Sequence, residues 1–414
     1  MQPNQEVLRV AGRGMCAILL LQLVSIPLVA KTTSFNPRVA LTSTYTDNVR
    51  FVGQSSGSSD SDIVTGLRVT LPVQKQGQHS SLLFRYDIAG NRYQDFSSLD
   101  NVAHALRLDY TLKLSRVSSL NVRAKYLFTQ DQADPEVLED SEDPDPFLAG
   151  RTERESGSLS VRYARNIGSR WEWFATGLAR RSDFELIENF NPGTGLMQLP
   201  EDKDGYAAGT GAWRRFSKNT RLGARYSFGR TDLSVTGRVE THDFRFTFDS
   251  RLTKRFGLRG EVGAFYRDNI DTGETNDGAT IIVLLKFNDG IGFTAGPVRF
   301  DFGAGLTPSY GGAIEGTSAN AAVFASMKGV RTRPVEWGVT TRYGQRRSDL
   351  FGQPNRNTLT FVAYGEVGIR RLLGFRLTTR HSNQDIPSQP SSSFYSVRAS
   401  FVWYPLGRTR VAGR

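Results

Sequence analysis

The sequence predicts an all-β protein, a transmembrane antiparallel barrel of the bacterial outer-membrane type, with about eighteen strands and sixteen as the alternative count. Three observations predict it. An export signal stands at the N-terminus, no later run is long and apolar enough for a membrane helix, and apolar and ionised side chains alternate with a period of two from Pro37 almost to the C-terminus.

The export signal comes first. Arg9 and Arg13 precede the apolar run Met15 to Ala30, which has a charged start, a short hydrophobic centre and a small-residue end. A retained anchor is the alternative, but the run falls short of the ~20 residues a spanning helix needs and Pro27 interrupts it. Residues 1–30 are therefore expected to be cleaved after Ala30. The single cysteine, Cys16, leaves with them, so disulfides, thiol catalysis and a cysteine-ligated metal are excluded from the mature chain. Composition is neutral: 38% of the 414 residues are hydrophobic, and the 41 glycines bring that near the level of soluble proteins. Pattern has to decide, and with no membrane helix the only route into a bilayer is a closed barrel.

The alternation is explicit in Leu106-Arg-Leu-Asp-Tyr-Thr-Leu-Lys-Leu114, where Leu106, Leu108, Tyr110, Leu112 and Leu114 form one face and Arg107, Asp109, Thr111 and Lys113 the other. Residues 81–88, 221–228, 298–302 and 395–403 repeat the design. In residues 239–252 the rows are starkest: Phe244, Phe246 and Phe248 against Arg245, Thr247, Asp249 and Arg251. Eighteen such segments begin near residues 37, 63, 79, 101, 118, 152, 169, 204, 219, 238, 256, 278, 298, 318, 334, 357, 374 and 394.

Connections alternate in length. After odd segments come 49–62, 95–100, 131–151, 185–203, 231–237, 269–277, 311–317, 348–356 and 382–393, mostly long and rich in Gly, Ser, Asp and Asn. After even segments come tight turns such as Arg116-Val117, Ile167-Gly168, Lys218-Asn219 and Lys254-Arg255. Long loops at one rim, short turns at the other and an even count place both chain ends in the periplasm. Residues 73–78 and 288–297 are longer than tight turns, which keeps sixteen strands open. The barrel is expected over 31–404, followed by a basic periplasmic tail, 405–414.

A secreted soluble β-sandwich would also alternate, with the Phe row as its core. Sandwich strands typically run ~5–6 residues, whereas a tilted membrane strand needs ~9–11, and nearly every segment here carries the pattern over nine or more. Aromatics also gather near segment ends, at Tyr93, Phe128, Trp171, Trp173, Phe265, Tyr266, Tyr343, Trp403 and Tyr404, as interfacial girdles would. Both features favour the barrel.

The first segment reads Leu41-Thr-Ser-Thr-Tyr45-Thr-Asp47-Asn48-Val-Arg-Phe51; a Ser/Gly/Asp loop follows, then Ser61-Asp62-Ile63 and a strand closing on Leu71-Pro72. This resembles the opening of the β-barrel porins found with bacterial exopolysaccharide and exosortase-type systems, where a Tyr-x-Asp-Asn-aliphatic segment ends the first strand and a polar loop leads to a strand closing on Pro. The diagnostic segment spans about thirty-five residues of this chain. The resemblance implies an outer-membrane barrel with a part in export or surface display of polysaccharide, and envelope export components as partners. One departure stands out: such barrels commonly end on an aromatic residue, whereas here Phe401, Trp403 and Tyr404 are followed by the tail, so the insertion signal is internal or unusual.

If Phe244, Phe246 and Phe248 face lipid, the other face lines a lumen. It carries Arg85, Arg107, Lys113, Arg123, Lys125, Arg162, Arg221, Arg225, Arg245, Arg251, Arg259, Arg299, Arg342, Arg370, Arg376, Arg380 and Arg398, against Asp87, Asp109, Asp249, Glu261, Asp301, Glu336 and Glu366. A barrel of this size leaves an aqueous channel, and an excess of fixed cations within low-dielectric walls concentrates anions. The expected function is a porin-like channel favouring anionic solutes, anionic polysaccharide among them. For any single arginine the alternative is a stabilising network with Asp, Glu and carbonyls. A non-conducting barrel that anchors an envelope complex is the competing function. On these faces Phe246→Arg is costly, and Arg245→Ala leaves folding nearly intact.

The loop 131–145 holds eight carboxylates in fifteen residues, fitting a solvated acidic loop, a constriction folded against the basic wall, or a site for divalent cations shared with lipopolysaccharide. Enzyme readings find little: His79, His104, His242 and His381 have no partner at metal-ligand spacing, and Gly209-Thr-Gly211 and Gly303-Ala-Gly305 lack the context of a phosphate cradle. No cofactor or metal is expected. Nor is nucleic acid, because the positive residues are spread singly over many strands. The expected surroundings are outer-membrane lipid and lipopolysaccharide.

Overall fold

In the computed structural model the alternating segments are strands. The structure describes residues 30–47, 61–130, 150–189, 202–234, 237–253, 256–273, 275–287, 298–312, 315–329, 335–348, 356–369, 372–385 and 392–405. The expected signal peptide apart from Ala30, the acidic loop 131–145 and the tail beyond Pro405 lie outside them. The strands are β1 (Ala30–Phe35), β2 (Arg38–Thr46), β3 (Asp62–Gly77), β4 (Ser80–Tyr93), β5 (Asn101–Lys113), β6 (Ser118–Thr129), β7 (Gly150–Ile167), β8 (Trp171–Asn189), β9 (Lys203–Arg215), β10 (Thr220–Leu233), β11 (Gly237–Arg251), β12 (Phe256–Asn269), β13 (Thr275–Phe287), β14 (Val298–Gly312), β15 (Glu315–Gly329), β16 (Val335–Ser348), β17 (Arg356–Gly368), β18 (Leu373–Asp385) and β19 (Ser392–Trp403).

Each strand from β2 onward pairs antiparallel with the next, and β19 returns to β2 through pairs such as Phe401↔Leu41. Strands β2 to β19 therefore close a ring of eighteen among the described residues. Closure removes the exposed edges of an open sheet. β1 adds no further stave, because it lies along β3 in line with β2: Arg38↔Thr70 belongs to β2, Phe35↔Val73 to β1. Asn36-Pro37 separates the two, and proline has no N–H for the ladder.

The sequence reading located strand starts closely; the largest offsets are at Thr275 and Glu315, expected at 278 and 318. Connections differ more. Residues 73–77 are strand, leaving only Gln78-His79 as the turn from β3 to β4. That stretch, Val-Gln-Lys-Gln-Gly, has lost the contrast between faces, yet pairs with β1 on one side and β4 on the other. The 311–317 connection narrows to residues 313–314, while β7 and β8 extend into their expected loops to reach 18 and 19 residues. Residues 288–297 lie outside the described set.

Exposure is inverted relative to a soluble core. On one face, Phe401 (58%), Phe246 (55%) and Phe244 (43%) are exposed, while on the other Asp243 (4%) and Arg267 (2%) are buried. Side chains on the inside of a closed ring crowd together and those on the outside diverge, so the polar face is the crowded one. Tyr93, Phe265 and Tyr404, expected in the aromatic girdles, are instead buried on this polar face; Trp171, Trp173, Tyr266, Tyr343 and Trp403 are exposed on the apolar one. Their parity along the strand, not their nearness to its end, decides the side.

The β4–β5 connection folds against the polar face. Its 3-10 turn, Ser97–Leu99, packs Leu99 onto Val64 and Tyr93, with Phe96 alongside. Asp62 holds the segment: its carboxylate accepts N–H bonds from Gln94 at 3.1 Å, Asp95 at 3.2 Å and Phe96 at 3.2 Å. Successive amides converging on one carboxylate fix the path of a connection whose residues, Leu99 apart, are exposed or half-buried.

Candidate functional site

Register brings the charged residues of many strands onto one surface. In the antiparallel ladder directly opposed residues share a face, with Cβ atoms ~4.5–5.5 Å apart. Arg85 on β4 opposes Arg107 on β5, which opposes Lys125 on β6, so three cations form a row across three strands. A second like-charge pair, Arg225↔Arg245, joins β10 and β11. Following the pairs around the ring puts Arg85, Arg107, Arg123, Lys125, Arg225, Arg245, Arg259, Arg376 and Arg398 on the polar face. Positions 299 and 342 share it by register, while their side chains lie outside the described residues. Phe244, Phe246 and Phe248 occupy the opposite face; the rings of Phe244 and Phe246 meet edge to face at 4.8 Å.

Like charges directly opposed repel, and neighbouring acids offset this. Arg85 Nε donates to Asp87 Oδ2 at 2.6 Å and Arg107 Nε to Asp109 Oδ2 at 2.7 Å, each pair two residues apart on one strand and hence on one face. Arg123 reaches the same Asp109 at 3.0 Å. Around Arg245 the network is denser: Asp243 pairs with it directly, and Glu261 accepts from Arg225 at 3.1 Å, Arg245 at 3.5 Å and Arg259 at 2.7 Å. Arg398 donates to Thr44 Oγ1 at 3.0 Å, and Arg376 lies over the Tyr364 ring at 4.6 Å.

The arginines divide by exposure. The Arg123 and Arg259 side chains keep 60% and 50% of their surface, whereas Arg245 keeps 10%. Arg245 therefore does not stand free above the wall. It is a buried cation held between two carboxylates, which argues against the expectation that its removal spares folding.

Sequence reasoning missed three features of this surface. Asp243 was readable: it sits two residues before Arg245 and so on the same face. Glu172, which binds Arg162 at 2.9 Å, comes from the next strand and has no local signal. Nor have the stacked guanidiniums, Arg162 over Phe174 at 4.4 Å and Arg221 over Trp213 at 4.6 Å. Glycines make room for such packing. A Cβ on Gly211 would lie 2.5 Å from Phe174 Cζ, and one on Gly263 would run into the Phe244 carbonyl and the Arg245 side chain. The Gly209-Thr-Gly211 pair thus serves close packing. His104 and His242, on the apolar face, bond through Nδ1 to the hydroxyls of Tyr86 and Tyr226 at 2.8 and 2.7 Å. Among the described residues no cluster of His, Cys, Asp and Glu is arranged to hold a metal ion.

No protein-family model and no curated protein matches the chain. Among solved structures it is similar to Pseudomonas aeruginosa OpdQ, with a TM-score of 0.47 and 12% identity, covering 91% of this chain and 99% of that one. Acinetobacter baumannii OccAB4 gives 0.46 and 9%, covering 91% and 99%. Pseudomonas aeruginosa OccK2 (OpdF), solved in complex with glucuronate, gives 0.47 and 11%, also covering 91% and 99%.

Proposed function

We propose that the protein is an outer-membrane channel whose apolar face meets lipid and whose polar face lines a lumen that favours anions. The observation that carries this reading is the inverted burial of one closed ring, with bare Phe244 and Phe246 exposed and Asp243, Arg245 and Thr247 buried between and behind them. In water the exposed rows would be a severe liability. In hydrocarbon they are the solvent-matched surface, and ring closure satisfies the backbone. The Arg85–Arg107–Lys125 row and the half-exposed Arg123 and Arg259 support the anion bias. Planar-bilayer recording of the refolded protein tests both parts: stable conductance steps are expected, with a reversal potential under a KCl gradient of the sign for chloride preference. Persistent silence would favour an anchoring barrel, and cation preference would end the anion reading.

A narrower reading makes anionic polysaccharide the cargo and an export system the setting. Its support is the resemblance at Leu41–Pro72, together with a cationic row broad enough to meet successive charges of a chain. Flux of a uronic-acid oligosaccharide through protein-bearing liposomes should exceed that of a neutral one of equal length. Equal flux would remove the polysaccharide reading and leave the channel.

A further inference from the structure

The outward faces of β7, β8 and β9 carry, at their short-turn end, a group of side chains that neither the lumen nor the ladder uses. Register fixes the layout: Phe244 shares a face with Tyr226, Thr210, Ala175 and Tyr163 in turn, and so by parity with Arg165, Trp171, Trp173 and Arg214. Arg165 opposes Trp173, and Trp171 opposes Arg214. The two tryptophans of β8 thus stand between the two arginines, whose Cα atoms are about 12 Å apart across two strand spacings and two residues of rise. The Arg214 guanidinium lies 5.4 Å from the centroid of the Trp171 ring and 4.9 Å from that of Phe216, and Tyr163 meets Trp173 edge-on at 6.0 Å. Trp171, Trp173, Phe216 and both arginines are exposed.

What this strip lacks is negative charge. On the same outward face at the long-loop end, Arg181 pairs with Asp183 at 2.9 Å and Asp204 at 3.8 Å, and Arg230 with Asp232 at 3.3 Å and Glu240 at 4.0 Å. At the short-turn end neither Arg165 nor Arg214 has a carboxylate partner among the described residues. Glu172, between the tryptophans in sequence, turns to the polar face and binds Arg162 at 2.9 Å. Arg170, exposed in the turn, adds a third positive charge. Flanking strands offer no match: their outward positions at this end are Leu112 and Leu120 on β5 and β6, and Leu222 and Phe248 on β10 and β11. Tryptophan and arginine together suit the boundary between acyl chains and headgroups, and guanidiniums without internal acids are matched by phosphate.

We propose that Arg165 and Arg214 hold the phosphate headgroup of an acidic phospholipid over Trp171 and Trp173, a preferred lipid site on an otherwise uncharged flank. The site rests on the reading that the Phe244 face meets lipid. With both chain ends in the periplasm, as the sequence leads one to expect, the short-turn end meets the inner leaflet, so the occupant is a glycerophospholipid and not lipopolysaccharide.

Lipid-specific quenching tests the site in the full-length protein refolded into phosphatidylcholine liposomes. A small fraction of phosphatidylglycerol with brominated acyl chains is compared with the same fraction of brominated phosphatidylcholine, and tryptophan emission reports which lipid sits beside the protein. Phosphatidylglycerol should be favoured about fivefold. The preference should weaken in Arg165→Gln alone, vanish in Arg165→Gln with Arg214→Gln, and persist in Arg181→Gln; the folded mobility of all three in SDS should stay that of the parent. Equal quenching by the two lipids, a preference that survives the double substitution, or one lost in Arg181→Gln overturns the site and leaves the membrane reading standing. Quenching by neither lipid overturns both. Loss of the preference in millimolar inorganic phosphate would put a free anion in place of the lipid and likewise overturn the proposal.

Discussion

Arg245 and Phe246 are neighbours in sequence and opposites in environment. Phe246 is exposed at 55%, and Phe246→Arg at membrane depth should cost ~2–4 kcal/mol in urea unfolding from liposomes. Arg245→Ala takes from buried Asp243 its direct ion pair, while Glu261 keeps Arg225 and Arg259, so a loss of ~3–5 kcal/mol is expected in the same assay, most of it from Asp243. Arg123→Ala removes a solvated partner of Asp109; stability should stay within about 0.5 kcal/mol, while the reversal potential moves toward the cation side. A neutral Arg245→Ala together with a destabilising Arg123→Ala would show that burial has been misjudged on this wall. The sequence told these residues apart from Phe246 by parity alone. It could not rank Arg245 against Arg123, because burial on a shared face depends on which residues the neighbouring strands bring alongside.

At the scale of the strand, period and punctuation were enough to place β2 to β19, since every one alternates and most are bounded by Gly, Asn, Asp or Ser. β1 and the end of β3 escaped, because Lys31-Thr-Thr-Ser and Gln74-Lys-Gln are polar on both faces and carry no period to read. Register also escaped. The row Arg85, Arg107 and Lys125 exists only once three strands are slid into place, and a one-residue slip would turn it to the other side. Packing between strands rests on small residues, and Gly211→Val tests it: the added branch meets both Phe174 and the Ala224 carbonyl. Overpacking of this kind costs ~1–3 kcal/mol and should lower the temperature at which the barrel loses its folded mobility in SDS. An unchanged transition would mean that Phe174 swings clear without loss.

The whole molecule is a ring whose closure, not a core, organises it. The described strands leave one small apolar cluster, Val64, Tyr93 and Leu99, and even that serves to seat a loop. Stability must then come from the ladder, the lipid and the ion pairs, so extraction into water should unfold or aggregate the protein; a soluble monodisperse monomer without detergent would refute the membrane reading. In the orientation expected from the sequence, with both chain ends in the periplasm, the grip of Asp62 on residues 94–96 bears on how the protein meets the world outside the cell. Enzymes that digest surface proteins need a stretch of chain they can draw out straight, and this connection resists it: the amides of residues 94–96, Leu99 and Asp100 are taken and Leu99 is tucked away. Intact cells treated with a broad protease should therefore keep the chain whole at 94–100, and Asp62→Ala should open a cut there, making one carboxylate the guard of an otherwise cleavable rim.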